Sequence, residues 1–198
     1  DHLLYCFAAE ADFAHELMDK VLEANIVMVR RAIRAGVDIV MLGDDYAHNT
    51  APMMSPTHFE AFIFPRLKRM IDVIHEEGAL CIKHSDGHLW PILDMIVEAG
   101  PDAINPLEPV AGMDMREVKA KYGERACLVG NIDCGELLSH GSTEEVAAAV
   151  RQCIAAGAPG GGFILSSSNS IHSSVKPENF LAMVRAGKAN GTYPLGGA

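Results

Sequence analysis

Five times along this chain a short apolar run stops in polar or glycine residues, and a helical pattern follows. The clearest case is Ala79-Leu80-Cys81-Ile82-Lys83, which opens into His84-Ser85-Asp86-Gly87-His88 before a helical pattern from Leu89 to Glu98. The others are Asp38–Leu42, Ala103-Ile104, Ala126–Val129 and Phe163–Leu165, each ending in a loop rich in Asp, Asn, Ser or Gly. Short apolar runs separated by helices predict buried parallel strands with the helices outside. Right-handed crossovers point the carboxyl ends of such strands the same way. Asp44, Asp45, His84, Asp86, Glu108, Asn131, Asp133 and Asn169 are therefore expected on one face.

The predicted fold class is α/β, a (β/α)8 barrel. A closed barrel needs eight units and about 250 residues. This chain has 198 residues and offers five strand–helix units after one leading helix. Residues 1–198 are read as one barrel domain covering the carboxyl-terminal five units, its amino-terminal part incomplete, and the start at Asp1 without an initiator Met fits that reading. The leading helix is predicted from Phe13 to Ala35, with Phe13, Leu17, Val21, Leu22, Ile26, Val29 and Ile33 at helical spacing and Gly36 closing it. Ser55-Pro56 predicts an N-cap with proline at the first helical position. Pro65 must break or kink the helix that follows, because proline removes a backbone donor. Further helices are expected over Met113–Tyr122, from a Ser142-Thr143-Glu144-Glu145 capping box through Ala156, and from Lys176-Pro177-Glu178-Asn179 to near Gly187. The Gly-rich tail from Asn190 reads as mobile.

A formal net charge of -10 argues against a general nucleic-acid binder. Arg30, Arg31 and Arg34, and Arg66, Lys68 and Arg69, fall in helical patterns and read as solvated helix faces. Cys6, Cys81, Cys127, Cys134 and Cys153 form no C-x-x-C pair, which predicts reduced thiols and a cytoplasmic location. Cys81 and Cys127 read as small core residues. No apolar run approaches the ~20 residues of a membrane span.

His84-x-Asp86-x-His88 is the sharpest constellation. Residues two apart on an extended segment share a face, so they could hold one cation or relay a proton. Asp86 also reads as the cap of the helix starting near Leu89, and His88 as part of its first turn. Asp44-Asp45 reads either as a carboxylate pair with one raised pKa or as a hydrogen-bonded turn. Glu108, between Pro106 and Pro109, sits in a stiff loop suited to a placed side chain. Asn131-x-Asp133 either orients a site or caps a turn. Gly160-Gly161-Gly162 precedes a strand, so it presents no phosphate loop, and Ser166-Ser167-Ser168 lacks a G-x-S-x-G context.

The order Asp44-Asp45-Tyr46-Ala47, Lys83-His84-Ser85-Asp86-Gly87, Asn105-Pro106-Leu107-Glu108-Pro109, Gly130-Asn131-Ile132-Asp133, Ile164 to Asn169 and Lys176-Pro177-Glu178-Asn179 resembles the uroporphyrinogen decarboxylase superfamily, from about Phe13 to Ala186. That resemblance implies a (β/α)8 barrel and one of two chemistries. One is cofactor-free decarboxylation of the acetate arms of uroporphyrinogen, in porphyrin biosynthesis. The other is methyl transfer with zinc and a corrinoid on a partner protein. The chain departs from both patterns. Asn169 stands where the decarboxylases carry the histidine of Gly-His-Gly, and Asp45 where they carry a serine that contacts substrate. The methyltransferases hold zinc through His-x-Cys and a distant Cys, where this chain has His84, Asp86 and Asn169.

On this basis His84, Asp86 and Asp45 are the expected catalytic residues. Asp44, Tyr46, Glu108, Asn131, Asp133 and Asn169 are expected to bind substrate. Zinc, if held, falls to His84, Asp86 and Glu108, a harder donor set that suits an oxygen-bearing substrate. The preferred reading is metal-assisted, corrinoid-linked methyl transfer from a small oxygenated or methylated substrate. Uroporphyrinogen decarboxylation, with no cofactor, is the alternative, and a catalytically inactive binding barrel is the third. No nucleic-acid or membrane partner is expected, and a homodimer is what the resemblance implies.

Overall fold

The computed structural model describes residues 2–195; Asp1 and the last three residues of the Gly-rich tail lie outside them. Two helices come first, α1 (His2–Ala9) and α2 (Ala11–Arg34), where the sequence reading has one. Five strands follow: β1 (Ile39–Leu42), β2 (Leu80–His84), β3 (Ala103–Asn105), β4 (Cys127–Ile132) and β5 (Phe163–Ser167). All neighbours pair parallel, in the order β1-β2-β3-β4-β5. Strands laid down in chain order without reversal are the winding of a (β/α)8 barrel; a doubly wound sheet reverses order at a switch point.

Between β1 and β2 the chain forms α3 (Pro56–His58), a π-helical turn (Phe59–Ile63) and α4 (Phe64–Glu76). Ser55 caps this helix through its side chain, which accepts from the His58 N–H. The expected break at Pro65 takes the form of the π turn, closed by the Phe64 N–H donating to the Phe59 carbonyl. The wider turn places Pro65 in the first turn of α4, where its missing donor is no loss. The remaining helices are α5 (Trp90–Glu98), α6 (Met115–Tyr122), α7 (Leu137–His140), α8 (Thr143–Gly157) and α9 (Pro177–Asn190), with a 3-10 turn at Pro109–Ala111. α6 starts two residues later than predicted because Asp114 caps it, accepting from the Arg116 and Glu117 amides. The Ser142–Glu145 capping box forms as read. The short α7 and the 3-10 turn have no apolar period to announce them.

The core lies between the sheet and the outer helices, and includes Ile71, Ile74, Cys81, Ile92, Ile96, Leu128 and Val150. On the sheet's other face Ile39, Met41, Leu80 and Ile164 stay about half exposed, at 50–55%. The apolar stripe of α2 divides: Ile26 is buried and Leu22, Val29 and Ile33 pack on the core, while Phe13, Leu17 and Val21 remain exposed. The basic helix faces carry ion pairs, Arg30 and Arg34 with Glu77, Arg66 with Asp19, and Lys68 with Asp72. No helix among the described residues is long and apolar enough to cross a membrane.

Candidate functional site

His84 is the last residue of β2, and the register of the sheet sets it beside Asn105, the last residue of β3. Its Nδ1 donates to the Asn105 side-chain carbonyl at 2.6 Å, which turns Nε2 outward. Nε2 then faces two carboxylates, Asp45 Oδ1 and Asp86 Oδ1, each at 3.6 Å. Potential ligand atoms of Asp45, His84 and Asp86 all lie within 4.8 Å of one another.

Backbone contacts between the loops fix this arrangement. The loop after β1 is tied to the loop after β2 by the Tyr46 N–H donating to Ser85 Oγ (2.9 Å) and the His88 N–H donating to the His48 carbonyl (2.8 Å). Gly87 makes this approach feasible. At φ +88 a Cβ there would meet the Ala47 and His48 carbonyls at 2.6–2.7 Å. The Asp86 amide donates to Asp45 Oδ1 (3.0 Å), and the Gly87 amide to Glu108 Oε2 (2.9 Å).

Asp86 is the electrostatic centre. Its Oδ2 accepts from Asn169 Nδ2 at 2.5 Å, whereas Oδ1 is buried with no hydrogen-bond partner among the described residues. Burial raises the Asp86 pKa above the usual carboxylate range; Asp45 adds to that, while His84 and the Asn169 hydrogen bond oppose it. Burial likewise raises the Glu108 pKa, against the Gly87 N–H and with the charges of Asp86, Asp133 and Asp45. Two carboxylates and an imidazole nitrogen converge, and among the described residues no donor reaches Asp86 Oδ1, an arrangement completed by a proton on Nε2 or by a cation.

The other expected residues separate into those at this centre and those with scaffolding contacts. Asn169 belongs to it, through Asp86. Glu108, expected as a metal ligand, is outside the cluster; its carboxylate is taken up by the Gly87 amide, and Asp45 stands in its place. Tyr46, expected against substrate, is instead packed in the core, its ring edge-on to Phe59, and burial first and then Asp44 and Cys81 raise its hydroxyl pKa far above the usual range. Asp44 is exposed and contributes its backbone carbonyl to Lys83. Asn131 donates to the Leu107 and Met113 carbonyls and so holds the loop after β3. Asp133 accepts from the Gly135, Glu136 and Leu137 amides and so caps a turn. Asp86 does not cap α5, which begins after Leu89 without a side-chain cap. His88 ties this loop to the next, its Nδ1 donating to the Ala111 carbonyl at 2.9 Å.

The sequence matches the family described as Uroporphyrinogen decarboxylase (URO-D) over residues 1–189. The chain belongs to the uroporphyrinogen decarboxylase family. Curated relatives include a uroporphyrinogen decarboxylase of Thioalkalivibrio sulfidiphilus, 26% identical over 86% of this chain and 47% of the relative. Another, from Vibrio vulnificus, is 26% identical over 90% of this chain and 49% of the relative. The chain thus spans about half the length of the curated relatives it matches. Among solved structures, a methyltransferase from Methanosarcina mazei superposes with a TM-score of 0.83 at 23% identity, over 96% of this chain and 53% of that one. A dihydropteroate synthase from Anaplasma phagocytophilum gives 0.57 at 17% identity, over 88% and 69%. These two likenesses concern the fold.

Within this member of the uroporphyrinogen decarboxylase family, two residues beside the cluster escaped the sequence reading. Asn105, which turns His84, was read only as part of a loop motif. Lys83 was read as a strand end, yet it is 1% exposed and its Nζ bonds the Asp44 and His84 carbonyls. Its signal was present: a charge inside an apolar strand needs buried partners. Burial lowers the Lys83 pKa to about 8, against the opposing pull of Asp44 and Asp45.

Proposed function

We propose that this chain carries part of a metal-dependent active site that removes a methyl group from a small oxygenated or methylated substrate, with a corrinoid on a partner protein as acceptor. The observation that carries this reading is Asp86 Oδ1, buried and without a hydrogen-bond partner among the described residues, facing His84 Nε2 with Asp45 Oδ1 alongside. One imidazole and two carboxylates fit zinc, and three protein ligands are the usual complement of a catalytic zinc site. Bound there, zinc would supply Lewis acidity toward a substrate oxygen. Asn105 would hold the His84 ring in the ligating tautomer, and Asn169 would keep Asp86 turned toward it.

Charge supports a small substrate over a polycarboxylate. The charges of Asp86, Asp133 and Asp45 all act on Glu108 at this mouth, and the nearby Lys83 ammonium is directed into backbone carbonyls. A porphyrinogen bearing acetate and propionate arms would meet like charge there. Decarboxylation remains the second reading, favoured by the names of the curated relatives. In that case Asp86 and Glu108, with their raised pKa values, would hold protons for the methylene carbon that remains when an acetate arm loses CO2.

The test is metal analysis of the full-length protein, purified without added zinc, beside His84→Ala. Stoichiometric metal in the first and none in the second is expected. Absence of metal from both, together with conversion of uroporphyrinogen to coproporphyrinogen, would replace this reading with the second.

A further inference from the structure

We infer that Lys83 is a positioning residue: it pins the exits of β1 and β2 together and so sets the gap across which Asp45 meets His84 and Asp86. The inference rests on the metal-site reading above for its functional meaning, though not for its geometry. Leu42 and Lys83 form the last register pair between these strands. Past that pair no ladder continues between β1 and β2, yet Asp45 must hold a fixed place relative to two side chains of the neighbouring segment. The Lys83 ammonium spans this gap. Its Nζ donates to the Asp44 carbonyl at 2.6 Å, the His84 carbonyl at 2.7 Å and the Leu42 carbonyl at 3.4 Å. All three protons are used, two of them on the β1 exit and one on a ligand residue itself. The Tyr46 ring, with its centroid 4.0 Å from Nζ, faces the same cation.

A filler role explains this less well. An unbranched apolar side chain such as Met would occupy the space beside Tyr46 without the desolvation cost of a buried ammonium. What Met lacks is the means to hold the Asp44 and His84 carbonyls at one point. The consequence lies one residue on: with Asp44 pinned, Asp45 Oδ1 accepts from the Asp86 amide.

The experiment uses the full-length protein and two readouts, zinc affinity by chelator competition and hydrogen exchange at the Asp86 amide. The Cys81 amide, bonded to Asp102 at the opposite end of β2, is the internal control. In Lys83→Met zinc affinity is expected to fall roughly 10–100-fold, the range for residues that support metal ligands. Asp86 exchange should rise about tenfold while Cys81 exchange is unchanged, because local opening is what an amide reports. Unaltered zinc affinity and unaltered Asp86 exchange would overturn the inference and leave the metal site standing. So would weaker zinc binding with unaltered Asp86 exchange, since the effect would then be charge and not position. If the wild type binds no zinc, the metal reading falls and exchange alone decides: selective acceleration at Asp86 supports the pin, and acceleration at both amides or at neither overturns it. Should Lys83→Met not fold, Lys83→Gln keeps two donors in a neutral group, and the same outcomes apply to it.

Discussion

At the amino-terminal end of the sheet Asp102 meets His75 at 2.9 Å; at the carboxyl-terminal end Asp86 stands 3.6 Å from His84. The residue types are the same and the strands are neighbours, but the surroundings differ. One Asp102 oxygen accepts from both His75 and the Cys81 amide. Burial pushes its pKa up, and those hydrogen bonds more than offset this, leaving it below the usual range. Asp86 keeps one oxygen buried without a donor among the described residues, and its pKa is raised, chiefly by burial. An Asp–His pair at bonding distance, its shared oxygen also held by a backbone amide, is architecture. A pair held apart, with a second carboxylate beside it, leaves room for something to be bound.

The contrast can be broken experimentally. His84→Ala should remove bound metal and lower turnover by roughly a hundredfold or more, as loss of a group acting on the reaction does; metal content and kcat check it. Asn105→Ala should leave the ring unanchored and weaken metal binding about 10–100-fold, read by chelator competition. At the opposite end, Asp102→Ala should leave turnover unchanged and cost about 1–3 kcal/mol in chemical denaturation, because it strands the buried Cys81 amide. The Asp102 pKa is depressed by folding, so its contribution is present above the carboxylate's unfolded pKa and is lost as pH falls through the folded value. Asp86→Asn should do the reverse and stabilise the metal-free protein at neutral pH, on the order of 1 kcal/mol, the usual scale when a strained site is relieved. A carboxyl whose pKa is raised by folding favours the fold when protonated and loses that advantage as pH rises through the folded value. The gain from Asn should therefore vanish in acid, which denaturation at two pH values measures.

Much of this was legible in the sequence, because strands of three to six residues bounded by helices allow few arrangements. Once the strands are parallel, Asp45, His84, Asp86 and Asn169 must share an end. What escaped depends on register, which such short strands do not encode. Only the pairings His84 with Asn105 and Leu42 with Lys83 reveal which residue turns the imidazole and which holds the strand exits. The choice between Glu108 and Asp45 in the cluster was hidden for a similar reason. Glu108 is spent on the Gly87 amide, a contact between loops that no local pattern announces. Asp133 had two readings in sequence, and the three amides it accepts select the cap.

The π turn at Phe59–Ile63 serves two separate hydrophobic clusters. Phe59 points to Tyr46 under the sheet, while Phe62 stacks on Phe7 and His15 of the leading helices. Deleting one residue from this turn would restore regular α-helix, yet it would rotate everything upstream relative to α4 by about 100°. The single extra residue therefore acts as a gear tooth: it sets the angle at which the amino-terminal helices are carried against the barrel wall.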